Sequence, residues 1–214
     1  MQDNKVYPRE EKAFHYQDLL ITLHPEVYDP AEDTFLLLET IDVKPNETVF
    51  EIGTGCGIIA LVCAKKGAHV VCSDVNPYAV SLTKKNLKQN QSRIQGRVEV
   101  RYGDMFNVLQ PEERFDVIIF NPPYLPTSRE EKIGGWFDIA VDGGIDGFKL
   151  VKPFLRGISM HLKINGRGYF VSTSLVDQRK LENLIKKHGL TYKRIATQCM
   201  GEEDLYIYQV RVYE

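Results

Sequence analysis

The stretch from Thr48 to Lys66 constrains this chain more than any other. A β-rich start, Thr48-Val49-Phe50-Glu51-Ile52, runs into Gly53-Thr54-Gly55-Cys56-Gly57 and then into an apolar run from Ile58 to Ala64 that Gly67 closes. That order spells strand, tight turn, helix. Glycines let the backbone turn and approach a ligand with no Cβ in the way, and the helix start offers unpaired N–H groups. The next β-rich run, Ala68 to Ser73, stops at Asp74, about twenty residues after the loop, where such folds place a ribose-binding acid. A strand–turn–helix–strand unit of this kind predicts an open α/β sheet with its ligand at the carboxyl ends of the strands.

Two ligand classes fit the unit: nicotinamide dinucleotides and S-adenosylmethionine. The loop reads G-x-G-x-G behind Glu51 rather than G-x-G-x-x-G, and an anionic carboxylate is a poor neighbour for pyrophosphate. Opposite charge makes it a suitable one for a ligand that carries an ammonium and a sulfonium, so the spacing favours adenosylmethionine. A third strand, residues 97 to 102, ends at Gly103-Asp104, and Asp104 is placed to accept the exocyclic amine of an adenine. A fourth, residues 115 to 120, ends at Asn121-Pro122-Pro123-Tyr124. The two prolines donate no hydrogen bonds and hold φ at about −65°, which makes a stiff extended turn with free carbonyls. Asn121 Oδ1 and the Pro122 carbonyl then form a clamp for an NH₂ group, with the Tyr124 ring as a face for a planar acceptor. Four strand ends thus bring Glu51, Asp74, Asp104 and Asn121 to one edge.

The remainder frames this core. A chain of 214 residues fits one α/β domain, here residues 28–214 after a short extension, 1–27. Its net charge of −2 leaves no electrostatic footprint for nonspecific duplex binding, so nucleic acid is a weak partner. No apolar run reaches bilayer length and the polar start lacks a signal peptide's apolar centre, so a cytoplasmic protein is expected. Cys56, Cys63, Cys72 and Cys199 show no C-x-x-C spacing, and no two histidines sit at ligand spacing, so no metal site is expected.

Residues 19–23 suggest an edge strand or hairpin. Asp29 is expected to cap a helix that starts at Pro30, carries Thr34 and ends near Asp42. A second helix is expected from Asn76-Pro77 through Gln91. Residues 125–147 read as a long loop, a substrate lid with Trp136 as its anchor. A helix over 148–163, a strand over 169–173, a helix over 176–188 and an antiparallel pair over 191–197 and 205–212 close the chain.

In their order, Glu51-x-Gly53-x-Gly55-x-Gly57, Asp74, Asp104 and Asn121-Pro122-Pro123-Tyr124 resemble the Rossmann-like, class I adenosylmethionine-dependent methyltransferases that act on amino or amide nitrogen. Two further stretches, residues 28–34 and 140–147, narrow the resemblance to the HemK-type protein-(glutamine-N5) methyltransferases in their short archaeal and eukaryotic form. The resemblance runs from residue 28 to the end. It implies a mostly parallel seven-stranded sheet with helices on both faces and an antiparallel C-terminal strand. It implies S-adenosyl-L-methionine as cofactor, bound by Thr34, Glu51, Gly53, Gly55, Gly57, Asp74, Asp104 and Asn121, with Asn121, Pro122 and Tyr124 catalytic. The implied substrate is the glutamine in the Gly-Gly-Gln loop of a peptide-chain release factor. The implied partner is a small zinc-binding activator subunit in a heterodimer, expected on the edge strand 97–102 by strand addition. Three other readings use the same residues: an adenine-N6 nucleic-acid methyltransferase, a protein-lysine methyltransferase and a noncatalytic methyltransferase-like subunit. No basic run or target-recognition domain accompanies the first, a lysine must first lose its proton, and the intact Asn121 speaks against the third.

Overall fold

The expected strand–turn–helix–strand unit lies at the centre of the computed structural model, which describes residues 12–127 and 135–213. Ahead of it, β1 (Ala13–Tyr16) and β2 (Leu19–Thr22) form an antiparallel hairpin, followed by α1 (Glu32–Thr40). The unit itself is β3 (Thr48–Ile52), α2 (Ile58–Lys65) and β4 (His69–Asp74). After it come α3 (Pro77–Gln89), β5 (Arg97–Tyr102), β6 (Phe115–Phe120), α4 (Trp136–Val141) and α5 (Val151–His161). The chain ends in β7 (Leu162–Thr173), α6 (Gln178–Lys187), β8 (Leu190–Cys199) and β9 (Asp204–Val212).

Seven strands form one sheet in the order β5-β4-β3-β6-β7-β9-β8. The first five are parallel, and β9 runs antiparallel between β7 and β8. Burial explains why the central strands read as unbroken apolar runs. Val49, Val117 and Ile119 pack on one face with α1, α2 and α3, whereas Phe50, Ile52, Ile118 and Phe120 pack on the other with α5 and α6. Strands covered by helices on both sides carry no polar face. The carboxyl ends of β3, β4, β5 and β6 therefore share one edge.

The hairpin is fastened to α3 by two buried asparagines. Leu20 N–H donates to Asn90 Oδ1 and Thr22 N–H to Asn86 Oδ1, both at 2.9 Å, and each amide returns a bond to the carbonyl of the same residue. Asn90 Nδ2 also donates to the Asn86 carbonyl, which ends α3 at Gln89 rather than Gln91.

Other boundaries moved for local reasons. The start of α1 falls at Glu32, with Ala31 extended before it, and no side chain caps it. Asp33 folds back onto the Thr34 N–H instead, and the helix stops at Thr40, short of Asp42. The stretch read as a loop over 125–147 contains α4, and residues 128–134 lie outside the described part. The strand expected from Tyr169 starts seven residues earlier, at Leu162, because Leu162 pairs with Phe115 before a register shift on β6. Cys56, Cys63 and Cys72 are buried and Cys199 is exposed, all with free thiols. Among the described residues no helix is long and apolar enough to cross a membrane.

Candidate active site

A pocket of about 950 Å³, counting its open mouth, lies along the carboxyl edge, and Thr34, Glu51, Gly53, Gly55, Asp74, Asp104 and Asn121 line it. The glycine loop forms its floor. Gly53 and Gly55 take φ of 67° and 56°, left-handed values that strain any residue with a Cβ. Gly55 N–H donates to Asp74 Oδ2 and Asn76 N–H to Asp74 Oδ1, both at 2.9 Å. The acid at the end of β4 thus holds the turn after β3, and each oxygen keeps a lone pair for a ligand hydroxyl. Burial raises the Asp74 pKa, and main-chain N–H groups of Asn76, Gly55 and Val75 oppose the rise.

Gly57 lies outside the lining. It precedes α2 with φ of 84°, and a Cβ there would stand 2.7 Å from Thr83 Cγ2, so close packing of α2 on α3 explains this glycine.

Glu51 differs from its expected role as a ready anion. Its side chain is 1% exposed, and burial pushes its pKa up to about 8, with the Asp74 charge adding to the rise and a 2.9 Å bond from Thr54 Oγ1 opposing it. It holds its proton at neutral pH until a positive charge is brought against it.

At the end of β6, Asn121 Nδ2 donates to Asp33 Oδ2 at 3.0 Å and to Thr34 Oγ1 at 3.3 Å. A carboxylate only accepts, so this contact fixes which way the amide faces. Asn121 Oδ1 is then buried with no hydrogen-bond partner among the described residues. Tyr124 OH donates to the same Asp33 oxygen at 3.3 Å. Asp33 Oδ1 takes the Thr34 N–H at 2.6 Å and Thr34 Oγ1 at 3.2 Å. One acid, 4% exposed, therefore sets the amide, the hydroxyl and the phenol. Burial, followed by the Asp33 charge, raises the pKa of both Tyr124 and Tyr28, so both phenols keep their protons.

Two more elements complete the walls. Asp104 precedes Met105, which lines the pocket with φ of 49°, the strained backbone that accumulates at ligand sites. On α4, Trp136, Ile139 and Ala140 line the pocket. The stretch 142–147 lies against the turn after Asn121: a Cβ on Gly143 would meet the Leu125 carbonyl at 2.5 Å, and one on Gly147 the Tyr124 carbonyl at 2.6 Å.

The structure brings every expected site residue except Gly57, Pro122 and Tyr124 into the pocket lining, and holds Tyr124 beside it through Asp33. Residue-by-residue reading missed Asp33, Tyr28, Ser73 and Met105 as site residues. For Asp33 a signal existed. Two acids stand in the first turn of α1, and an acid directly before a hydroxyl residue is free to bond inward.

An open parallel sheet with a glycine turn, an acid ending the second strand and an asparagine–proline turn ending the fourth defines a Rossmann-like class I methyltransferase domain. The chain belongs to the methyltransferase small domain family, whose model matches residues 26–134. It is 41% identical over 193 residues to a Methanocaldococcus jannaschii protein with the provisional name of protein N5-glutamine methyltransferase, a match covering 89% of this chain and 94% of that one. It is 28% identical over 190 residues to human methyltransferase HEMK2, covering 84% of this chain and 87% of the human one. Among solved structures, a chain of the E. cuniculi Mtq2-Trm112 complex, described as responsible for methylation of the eRF1 translation termination factor, shares the fold. Its TM-score is 0.68 at 21% identity, over 87% of this chain and 99% of that one.

Proposed function

We propose that this chain methylates the side-chain amide nitrogen of a glutamine, that of the Gly-Gly-Gln loop of a peptide-chain release factor, using S-adenosyl-L-methionine. The observation that carries the proposal is Asn121 Oδ1, a buried acceptor on the pocket wall with no partner among the described residues, on an amide whose nitrogen is already held. The names of the archaeal relative and of the E. cuniculi complex support it.

The donor set fits the cofactor. The remaining lone pairs of Asp74 suit a ribose diol, the open glycine floor admits close approach, and Glu51 suits a cationic ammonium or sulfonium, which would draw off its proton. When bound, adenosylmethionine supplies a methyl group on positively charged sulfur, an electrophile strong enough for a weak nitrogen nucleophile. An amide nitrogen is weak because its lone pair is delocalised, so positioning matters more here than a strong base. Asn121 Oδ1 accepts one amide proton of the acceptor and the Pro122 carbonyl the other, which fixes the plane and direction of the nitrogen. Tyr124, tied to Asp33, presents its ring to the planar amide. The proton that the nitrogen sheds leaves to water. Asp33 acts as a positioning residue, since it holds Asn121 and Tyr124 and does not itself touch the acceptor.

The same reading assigns the reaction to the cytoplasm and includes a small zinc-binding activator subunit as partner. β5 is an edge of the sheet and offers unpaired main-chain groups for strand addition. Transfer of labelled methyl onto release factor carrying Gly-Gly-Gln or Gly-Gly-Ala, with and without that subunit, tests the proposal. Label on the glutamine form alone is expected. Equal label on both forms, or label on RNA instead, overturns it.

A further inference from the structure

We infer that Glu203 anchors the acceptor: its carboxylate takes a main-chain N–H of the polypeptide segment that carries the methyl-accepting glutamine. The inference rests on the proposed glutamine activity and adds the group that grips the backbone of the substrate.

Three observations converge on Glu203. The first is topology. Glu203 immediately precedes β9, which runs antiparallel to β7 with Leu205 opposite Thr173. The start of β9 therefore lies at the carboxyl ends of the parallel strands, the edge where β6 delivers Asn121. The second is an open valence. Glu203 Oε1 is buried and without a hydrogen-bond partner among the described residues, a condition it shares with only Asn121 Oδ1 and Ser73 Oγ. Asn121 and Ser73 both line the pocket, whereas Glu203 lies outside its lining, farther along the same edge of the sheet. Burying an acceptor unpaired costs free energy, so orphan atoms gathered at one edge mark where a ligand completes the bonding. The third is proximity. After burial and the Asp33 charge, the charge of Glu203 adds a smaller rise to the pKa of both Tyr28 and Tyr124, so it lies within electrostatic reach of the two rings beside the acceptor clamp.

The chemistry selects the ligand group. A carboxylate only accepts, so the missing partner is a donor. A glutamine that enters the pocket on a loop brings main-chain N–H groups that lose water and need acceptors. A phosphate backbone would bring only oxygens and negative charge against Glu203.

The test compares Glu203→Ala and Glu203→Gln with the wild type, using intact release factor as acceptor and reading acceptor KM, kcat, cofactor Kd and melting temperature. Glu203→Ala is expected to raise the acceptor KM about tenfold, the scale of one lost hydrogen bond to a charged group, with cofactor Kd and melting temperature unchanged. Glu203→Gln keeps an acceptor oxygen and is expected to restore most of the KM. An unchanged KM in Glu203→Ala overturns the inference, as does a Glu203→Gln variant no better than Glu203→Ala. A cofactor Kd that weakens in step with KM in both variants assigns Glu203 a structural role and also overturns it. A wild type that turns over nothing on glutamine overturns the proposed function and this inference together, whereas an active wild type with an indifferent Glu203→Ala overturns this inference alone.

Discussion

Asn86 and Asn121 are both side-chain amides at junctions between elements, and they are completed in opposite ways. Asn86 Oδ1 accepts from Thr22 N–H at 2.9 Å and Gln89 Nε2 at 3.3 Å, and its Nδ2 donates to the carbonyls of Thr22 at 3.0 Å and Cys56 at 2.8 Å. Asn121 has two acceptors for its nitrogen and no donor for its oxygen among the described residues. A closed amide joins parts of the fold, while an amide closed on one side only presents a fixed acceptor to something that arrives. The same residue type thus serves structure in α3 and binding at the end of β6, and the difference lies in which bonds the fold leaves unmade.

Substitution to alanine is the sharpest way to break this contrast. Asn121→Ala is expected to lower turnover on the order of a hundred- to a thousandfold, the scale of one lost transition-state contact, with cofactor affinity and melting temperature nearly unchanged. Turnover within a fewfold of wild type would remove Asn121 from the clamp. Asn86→Ala is expected to do the reverse. It leaves main-chain groups of Thr22 and Cys56 unpaired and should cost about 2–3 kcal/mol of stability, read from the urea midpoint, while turnover per folded molecule holds. A stability loss confined to Asn121→Ala would invert the comparison.

Asp33 tests whether the open side of Asn121 depends on its closed side. Asp33→Ala is expected to lower kcat about tenfold, because the amide and the Tyr124 hydroxyl lose their common acceptor and with it their orientation, while Asp33→Asn, which keeps an oxygen, falls less. Steady-state kinetics with separated kcat and KM decide it. The last expected effect concerns pH and is read in stability, with turnover left aside. Burial raises the Glu51 pKa from the ordinary 4.5 to about 8 and raises that of Asp74. The folded chain therefore binds more protons than the unfolded chain between those values. Stability from this source is full below the ordinary carboxylate value, declines as pH rises toward 8 and levels above it. Urea midpoints taken from about pH 5 to about pH 9 should show that decline, and Glu51→Gln should flatten most of it.

The frame of the sheet was legible because apolar runs, glycines and terminal acids obey local rules. Glu51, Asp74, Asp104 and Asn121 could be set on one edge from strand order alone. What escaped depends on bonds between distant residues. Asp33 and Asn121 are 88 positions apart, and the local signal, an acid directly before a hydroxyl residue in a helix's first turn, says that Asp33 is free to bond inward without saying that it reaches β6. Asn86 reads as an ordinary helix residue because its partners, Thr22 and Cys56, belong to other elements. The protonation of Glu51 escaped for a related reason: charge is written in the sequence, and desolvation is a property of the packed fold. α4 was missed because six residues, Trp136–Val141, make too short a window for a 3.6-residue period to show.

Because Asn86 bonds both Thr22 and the Cys56 carbonyl, the hairpin and the glycine turn share one support. Thr83 adds a second link, from its hydroxyl to the Gly55 carbonyl at 3.0 Å. Local opening of a short two-stranded hairpin is a frequent event on the timescale of amide exchange, and each opening here releases a strut beneath the turn. A ligand that stiffens the turn should therefore slow deuterium uptake at Leu20 and Thr22. Those two amides sit outside the pocket, yet their exchange rates would report on what fills it.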